Sequence, residues 1–440
     1  MKRLISCVLA LLYVMAGFAS GTWILHGKEY RVDTLYHAYI GPGTTQTSIK
    51  LAGPVNLRVF YTTTDLKNEN VDVRAIKHKD TLTGLGTVSN AAESHSTSNR
   101  SYFAGINADF FSSSMPCGIT VVDGEVYCSD QASGWSLFGI DANKIPYSGG
   151  GDFYVKLTAP DYSTAELSAM NLERETNGLV LYSSRKGANT GTDGNGSEVV
   201  LIPDGEGNFL TPGATVRMRV QGNPNHAGSM PIPDNGYILS GSGTKESFVS
   251  NLSEGDEVEV RCAIRFNGFT GGKIQQALGG CPMLVSGGKV LDTENALDHL
   301  TSAQPRTAVG YNTEKNKLVM LVADGRSSIS VGPISKVLAD IMIYAGCSEA
   351  MNFDGGGSST FYVKGEGVIN QPSDGSERSV TDGLYLSTDA PQNDVTITTI
   401  RFMDYAKTLN QGDAYTPVIY GYNQYGVLVD RNVELSLIHI

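Results

Sequence analysis

Lys317-Leu-Val-Met-Leu-Val-Ala323 is followed by Pro333-Ile-Ser-Lys-Val-Leu-Ala-Asp-Ile-Met-Ile-Tyr-Ala345, and these two stretches decide the fold. The first is unbroken apolar after its lysine, as a strand covered on both faces would be. In the second, Ile334, Val337, Leu338, Ile341, Met342 and Ala345 recur at helical spacing. Pro333 stands at the first turn and Gly346 just past the end, which marks a helix with defined limits. A weaker helix is expected over Leu85–Ser94. Elsewhere strand and turn signals dominate: Leu57–Thr62, Val71–Lys77, Gly118–Val122, Glu125–Cys128, Val216–Val220, Val258–Arg265, Met283–Val285 and Ala308–Tyr311 alternate or run apolar between Gly, Asn, Asp and Pro clusters. The expected class is α+β: a mixed, strand-rich sheet core with a helix on one face and few others.

The first residues read as an export signal. Lys2 and Arg3 precede the apolar run Leu4–Phe18, and Gly17-Phe-Ala19 gives a small-x-small cleavage pattern. The expected divisions are a signal peptide over 1–19 and a main domain over 20–390, with a β-rich insertion at 141–278. The segment 391–440 reads as a partial immunoglobulin-like β-sandwich module. No stretch after the signal is apolar for the roughly 20 residues a membrane span needs. The mature chain is therefore expected outside the cytoplasm (periplasmic, at the cell surface or secreted), with no integral membrane span.

The 440 residues carry a formal charge of −12, with 33 basic and 45 acidic side chains. Phosphate backbones need a basic surface, so a nucleic-acid partner is excluded. Any phosphate contact must come from a few local arginines. Past the signal there are five cysteines, Cys117, Cys128, Cys262, Cys281 and Cys347, an odd number that leaves at least one thiol free. Cys117 and Cys128 flank a hairpin turning at Asp123-Gly124, on one face but diagonal to each other. The seven histidines are scattered, which argues against a histidine-built metal site.

Chemistry concentrates in Asn352-Phe-Asp-Gly-Gly-Gly-Ser-Ser-Thr360, where Asp354 abuts Gly355, Gly356 and Gly357 and the hydroxyls of Ser358, Ser359 and Thr360. A glycine run lets successive amides point into one concavity suited to an anion, and a carboxylate at its edge can act on what the concavity holds. Four segments of similar character are Gly105-Ile-Asn107-Ala-Asp109-Phe-Phe111, Gly279-Gly-Cys-Pro-Met-Leu-Val285, Gln304-Pro-Arg306-Thr307 and Val322-Ala-Asp324-Gly-Arg326. Asn370-Gln-Pro-Ser-Asp374-Gly-Ser-Glu377-Arg378 adds one more arginine. Each has a duller reading: Asp324-Gly325 is a common turn pair, Asp109 can cap a turn, and Glu377 can pair with Arg378.

In that order, GINADFF (105–111), ALGGCPMLV (277–285), PRTAVG (305–310), VADGRS (322–327) and MNFDGGGSSTFYV with VINQPSDGSER (351–378) resemble the phosphodiester glycosidase domain family. The resemblance covers roughly residues 50–388 and is sharpest from 279 onward. It implies an exported hydrolase that cleaves a sugar-1-phosphodiester into a sugar and a phosphomonoester. Arginine forks bind phosphate bidentately, which suits Arg306, Arg326 and Arg378, with Asn107, Thr307, Gly355–Gly357, Ser358 and Ser359 beside them. Asp354, Asp324 and Asp109 are the carboxylates for nucleophile, base or acid. Because a phosphomonoester leaves readily, one critical carboxylate is enough. The aglycone side is expected to be shaped by the 141–278 insertion and Trp135. The oxygen-rich set also suits calcium or magnesium, so a divalent cation is left open and no cofactor or metal ligand is assigned. The competing expectation is a non-catalytic protein that binds a phosphorylated sugar or glycan, or serves envelope exopolysaccharide assembly.

Overall fold

The structure, a computed structural model, describes residues 21–130, 134–205, 209–267, 269–270, 272–292, 301–403, 412, 414 and 416–434. The expected signal segment lies outside them. Two antiparallel sheets hold the site. A nine-stranded sheet runs in the order Gly21–Leu25, Lys28–Gly41, Thr44–Ala52, Asn56–Asp65, Lys317–Ala323, Arg306–Tyr311, Glu349–Asn352, Met283–Ser286, Lys289–Val290. A five-stranded sheet runs Gly367–Val368, Phe361–Val363, Ser101–Asn107, Asp382–Thr388, Asp72–Lys77.

Lys317–Ala323 is the strand its composition predicts, and its period of two divides it between two cores. Leu318, Met320 and Val322 join Phe60, Val309 and Met351 against Val73, Ile106, Phe361 and Leu384 of the five-stranded sheet. Val319, Leu321 and Ala323 point the other way, onto Val337, Leu338, Ile341 and Met342. Those last four belong to the helix Ser335–Tyr344, which starts two residues later than its proline suggests. The weaker helix is Val88–Ser94, its first turn closed by Thr87 Oγ1 accepting from the Asn90 amide.

The class is mainly β with few helices, which corrects the α+β expectation. Among the described residues the α-helices are short, the third being Glu246–Ser250. The expected mixed sheet is antiparallel almost throughout: the parallel exception is the two-residue pairing of Ala169–Met170 with Leu179–Tyr182. Short hairpin links need only a turn, whereas each parallel step needs a crossover of a dozen residues or more.

Residues 146–266 build most of a thirteen-stranded sheet over their own core of Val155, Leu157, Leu181, Leu201, Met218, Val260 and Ile264. That sheet also takes in Thr120–Val122, Glu125–Cys128, Ser136–Asp141 and Ile274–Gly280, which tie it to the site. The Asp123-Gly124 turn forms as expected, both residues at positive φ. All five described cysteines are unpaired, four of them buried. In the C-terminal segment, Thr399–Phe402, Ile419–Tyr422 and Leu428–Asp430 pair as a three-stranded sheet. It rests on the main body through Tyr422 Oη donating to Tyr39 O at 2.9 Å and the Arg401 guanidinium 4.0 Å over the Tyr39 ring.

Candidate active site

In antiparallel neighbours, the end of one strand lies beside the start of the next. Asp324 follows Lys317–Ala323, Arg306 and Thr307 open the adjoining strand, and Asp354 follows Glu349–Asn352 on its other side. The five-stranded sheet brings Asn107, at a strand end, beside Gly383 at the start of its neighbour. Both sheets thus offer polar residues at one common edge.

The tripeptide Asn107-Ala108-Asp109 joins them. Asn107 Nδ2 donates to Asp354 O at 2.7 Å, while its Oδ1 accepts from Thr307 Oγ1 at 2.8 Å and from the Thr360 amide at 3.1 Å. Ala108 O accepts from the Asp354 amide at 2.8 Å, and the Ala108 amide donates to Asp382 O at 3.3 Å. The Asp109 amide donates to Asp382 Oδ1 at 2.9 Å. Asn107 therefore fastens the Asp354 loop and leaves no amide atom for a ligand. Thr307 Oγ1 also meets Ser359 Oγ at 3.2 Å. The two hydroxyls are buried with Asn107 as packing and hydrogen-bonding groups.

The glycine loop differs from the expected amide concavity. The Gly355 amide and the Ser358 hydroxyl favour the ionised form of the Asp354 carboxylate. The Gly356 amide donates to Pro305 O at 2.9 Å, and the Ser358 and Ser359 amides close a 3-10 turn on Gly355 and Gly356. The Gly356 amide is thus taken by the chain's own carbonyl and is not offered to a ligand. Gly356 has φ +62°, and a Cβ there would stand 2.9 Å from Arg326 Nη2. Glycine is needed both for that backbone and for the arginine's approach.

The carboxylates fall into different environments. Asp354 keeps partial solvent contact. Burial pushes its carboxyl up to about 6, with Ser358, Gly355 and Arg378 pulling down and Asp382 pushing up. Asp324 is buried, its Oδ1 accepting from the Gln371 amide at 2.8 Å and from Asn370 Nδ2 at 3.4 Å. Burial raises its pKa against those donors. Asp324 thus anchors the 370–371 turn, the duller of its two readings. Asp109 is sealed: it is 1% exposed, and Gly118 and Gly279 close over its carboxylate so tightly that a Cβ on either would lie within 2.8 Å of an Asp109 oxygen. A substrate-facing role for Asp109 does not fit this placement.

The arginines also separate. Arg306 is 2% exposed and donates to the carbonyls of Ser302 and Pro333. Burial, then Arg326, lowers its pKa to about 10. Its guanidinium braces the loops and does not stand open as a phosphate fork. Arg378 pairs with Asp374 at 2.6 Å and reaches Ser358 Oγ at 3.4 Å. Glu377 accepts from Ser89 and not from Arg378. Arg326 is exposed, and its hydrogen-bond partners are neutral, Gln304 Oε1 at 2.7 Å and Ser373 Oγ at 3.5 Å. Beside Asp109, Phe110 meets Trp135 edge to face at 5.0 Å, and Trp135 lines a cavity of about 570 Å³ with Asp130, Asp152 and Phe153.

A model of one family supplies the comparison this edge calls for. Residues 212–387 match the phosphodiester glycosidase family. The resemblance read from the motifs is borne out over that range. The phosphodiester glycosidase segment contains Arg306, Asp324, Arg326, Asp354 and Arg378, whereas Asn107 and Asp109 precede it. It begins inside the expected insertion of 141–278. A curated relative, the SPβ prophage-derived protein YomE of Bacillus subtilis strain 168, is 40% identical over 88 residues, 20% of this chain and 13% of that protein. A solved Burkholderia pseudomallei protein described as a candidate exported protein is 18% identical, with TM-score 0.61 over 84% of this chain and 99% of its own. A Synechocystis hypothetical protein is 16% identical, with TM-score 0.60 over 79% of this chain and 62% of its own. At these identities the two structures share the fold.

Asp382 is the site residue that sequence reasoning missed. It lies in Ser379-Val-Thr-Asp382-Gly-Leu, which carries no glycine run or arginine of the kind used to find the other segments. Its hydrophobic continuation, Leu384-Tyr-Leu386, marked a buried strand start and was the available signal. Among the described residues no group of three or more His, Cys, Asp or Glu side chains is arranged to hold a metal ion. No helix there is long and apolar enough to cross a membrane.

Proposed function

We propose that this protein hydrolyses a sugar-1-phosphodiester at the sugar C1–O bond, releasing a sugar and a phosphomonoester. The observation that carries the reading is the pairing of a partly open, raised-pKa carboxylate at Asp354 with Arg326, whose partners are neutral and which lies against the same glycine loop. Arg326 takes the phosphate, helped by Arg378 once Asp374 yields, and stabilises the leaving phosphomonoester. Asp354, ionised above about pH 6, serves the anomeric carbon as nucleophile or as base on water. Asn107, Thr307 and Ser359 hold that loop. The phosphodiester glycosidase match over 212–387 supports the reaction class. The likeness to a protein described as exported agrees with a site of action outside the cytoplasm.

The full chain, incubated with a panel of sugar-1-phosphodiesters, should release reducing sugar and phosphomonoester in equal amounts. Asp354→Asn should lower turnover at least about a thousandfold while leaving ligand affinity nearly intact. A folded wild-type protein inert to every member of the panel would sink the proposal. One observation favours the second reading, a phosphosugar-binding protein. Asp109 and Asp324 are withdrawn from the opening, which leaves Asp354 as the accessible one of the three expected carboxylates. That reading expects saturable binding of sugar phosphates without products.

A further inference from the structure

Beneath the Asp354 loop, three ionisable side chains are buried together. Asp109 is 1% exposed, Asp382 0% and Lys77 1%. Their hydrogen bonds are unequal. Asp382 has a donor on each oxygen, the Asp109 amide on Oδ1 and Thr381 Oγ1 on Oδ2 at 2.9 Å. Lys77 Nζ donates to the carbonyls of Thr381 at 3.1 Å and Gly84 at 3.2 Å, and its charge favours the ionised form of Asp382. Asp109 has one donor, the Gly118 amide on Oδ2 at 2.8 Å, while its Oδ1 is buried without any partner.

Burying an unpaired charge is far costlier than burying a neutral acid. With Lys77 charged and Asp382 ionised, the cluster is neutral only if Asp109 carries its proton. We propose that Asp109 is held as a neutral carboxylic acid, and that it is a positioning residue which keeps negative charge away from Asp354 and the bound phosphate. Lys77, held on the carbonyls of Thr381 and Gly84, favours the ionised form of Asp382 and so fixes this distribution. The proposal rests on Asp354 being the reactive carboxylate only for its functional consequence, and the protonation itself stands apart from any activity.

Asp382 on its strand and Asp354 on the overlying loop both disfavour a second negative charge, and burial does so most strongly. Against burial stand the Gly118 and Phe110 amides and the charge of Lys77, which favour the ionised form of Asp109. Lys77 on the neighbouring strand is itself lowered chiefly by burial. Cys117 and Cys128, which flank the hairpin, have thiols pushed up chiefly by burial.

Infrared difference spectroscopy of the full chain at about pH 8, above the Asp354 value, tests this without reference to activity. The wild type should show a protonated-carboxyl C=O band, and Asp109→Asn, which puts an amide of the same shape in its place, should lose it. Unfolding temperature gives a second readout. A carboxyl whose folded pKa is raised adds stability that is fully present below its unfolded pKa and lost as pH rises toward the folded value. The fall in wild-type melting temperature above about pH 4 should therefore be shallower in Asp109→Asn. In an active preparation, Asp109→Asn should lose less than about tenfold in turnover. If the variant fails to fold, the wild-type band alone decides. Absence of that band overturns the proposal, as does a folded Asp109→Asn as inactive as Asp354→Asn. If the band is present in a protein without glycosidase activity, the proposal stands and the proposed function falls.

Discussion

Under the proposed function, a single carboxyl group would set the working pH of this site. Asp354 is raised to about 6, chiefly by burial, and Arg378 is one of the groups holding it down. If the ionised form is the active one, activity should rise with pH through a limb centred near 6. Removing the positive charge in Arg378→Gln should move that limb upward, since an arginine favours the ionised form of a nearby carboxylate. A kcat/KM profile from about pH 4 to 8 checks both, and a limb that moves down in the variant would contradict the assignment. At this scale the sequence was partly legible. The proximity of Asp354, its glycines and its serines is written in consecutive residues. The burial of Arg306, Asp324 and Asp109 is not, because it depends on carbonyls and glycines supplied by segments far away, such as Gly118 and Gly279 for Asp109.

At the scale of elements, Asn107 is the pin between two sheets. It joins Asp354 of the nine-stranded sheet's edge to Thr360, which leads into a strand of the other. Asn107→Ala would leave a carbonyl without its donor and an amide and a hydroxyl without their acceptor, in a buried place. A loss of about 2–4 kcal/mol is expected from chemical denaturation, together with a fall in activity. Leu338→Ala, on the helix behind the sheet, should cost a similar amount, about 2–5 kcal/mol, yet leave KM unchanged, because it opens a cavity far from the glycine loop. Elements were the best-read level. Lys317–Ala323 matched to the residue, since an apolar run of strand length has few other uses. Past 391, where a sandwich-like module was expected, the strands are short, Thr399–Phe402 among them. Short polar strands with little apolar pattern leave their ends to be chosen by pairing partners.

For the whole molecule, the order of strands was out of reach of local reasoning. Asn56–Asp65 pairs with Lys317–Ala323 across more than 250 residues, and the thirteen-stranded sheet incorporates strands that precede the expected insertion and one, Ile274–Gly280, that runs past its end. No periodicity encodes such partners, which are set by cores shared among distant strands. The same long-range closure places the chain's two tryptophans in unlike surroundings. Trp23 stacks on Tyr344 at 4.7 Å, at the end of the helix behind the nine-stranded sheet, whereas Trp135 meets Phe110 one residue from Asp109. The molecule therefore carries two optical reporters with separate addresses. In Trp23→Phe all indole emission comes from Trp135, and titrating a sugar phosphate should shift or quench it. In Trp135→Phe the remaining signal should stay constant through the same titration and change only when the fold melts. An unresponsive Trp135 at saturating ligand would mean that the sugar lies on the other side of the glycine loop.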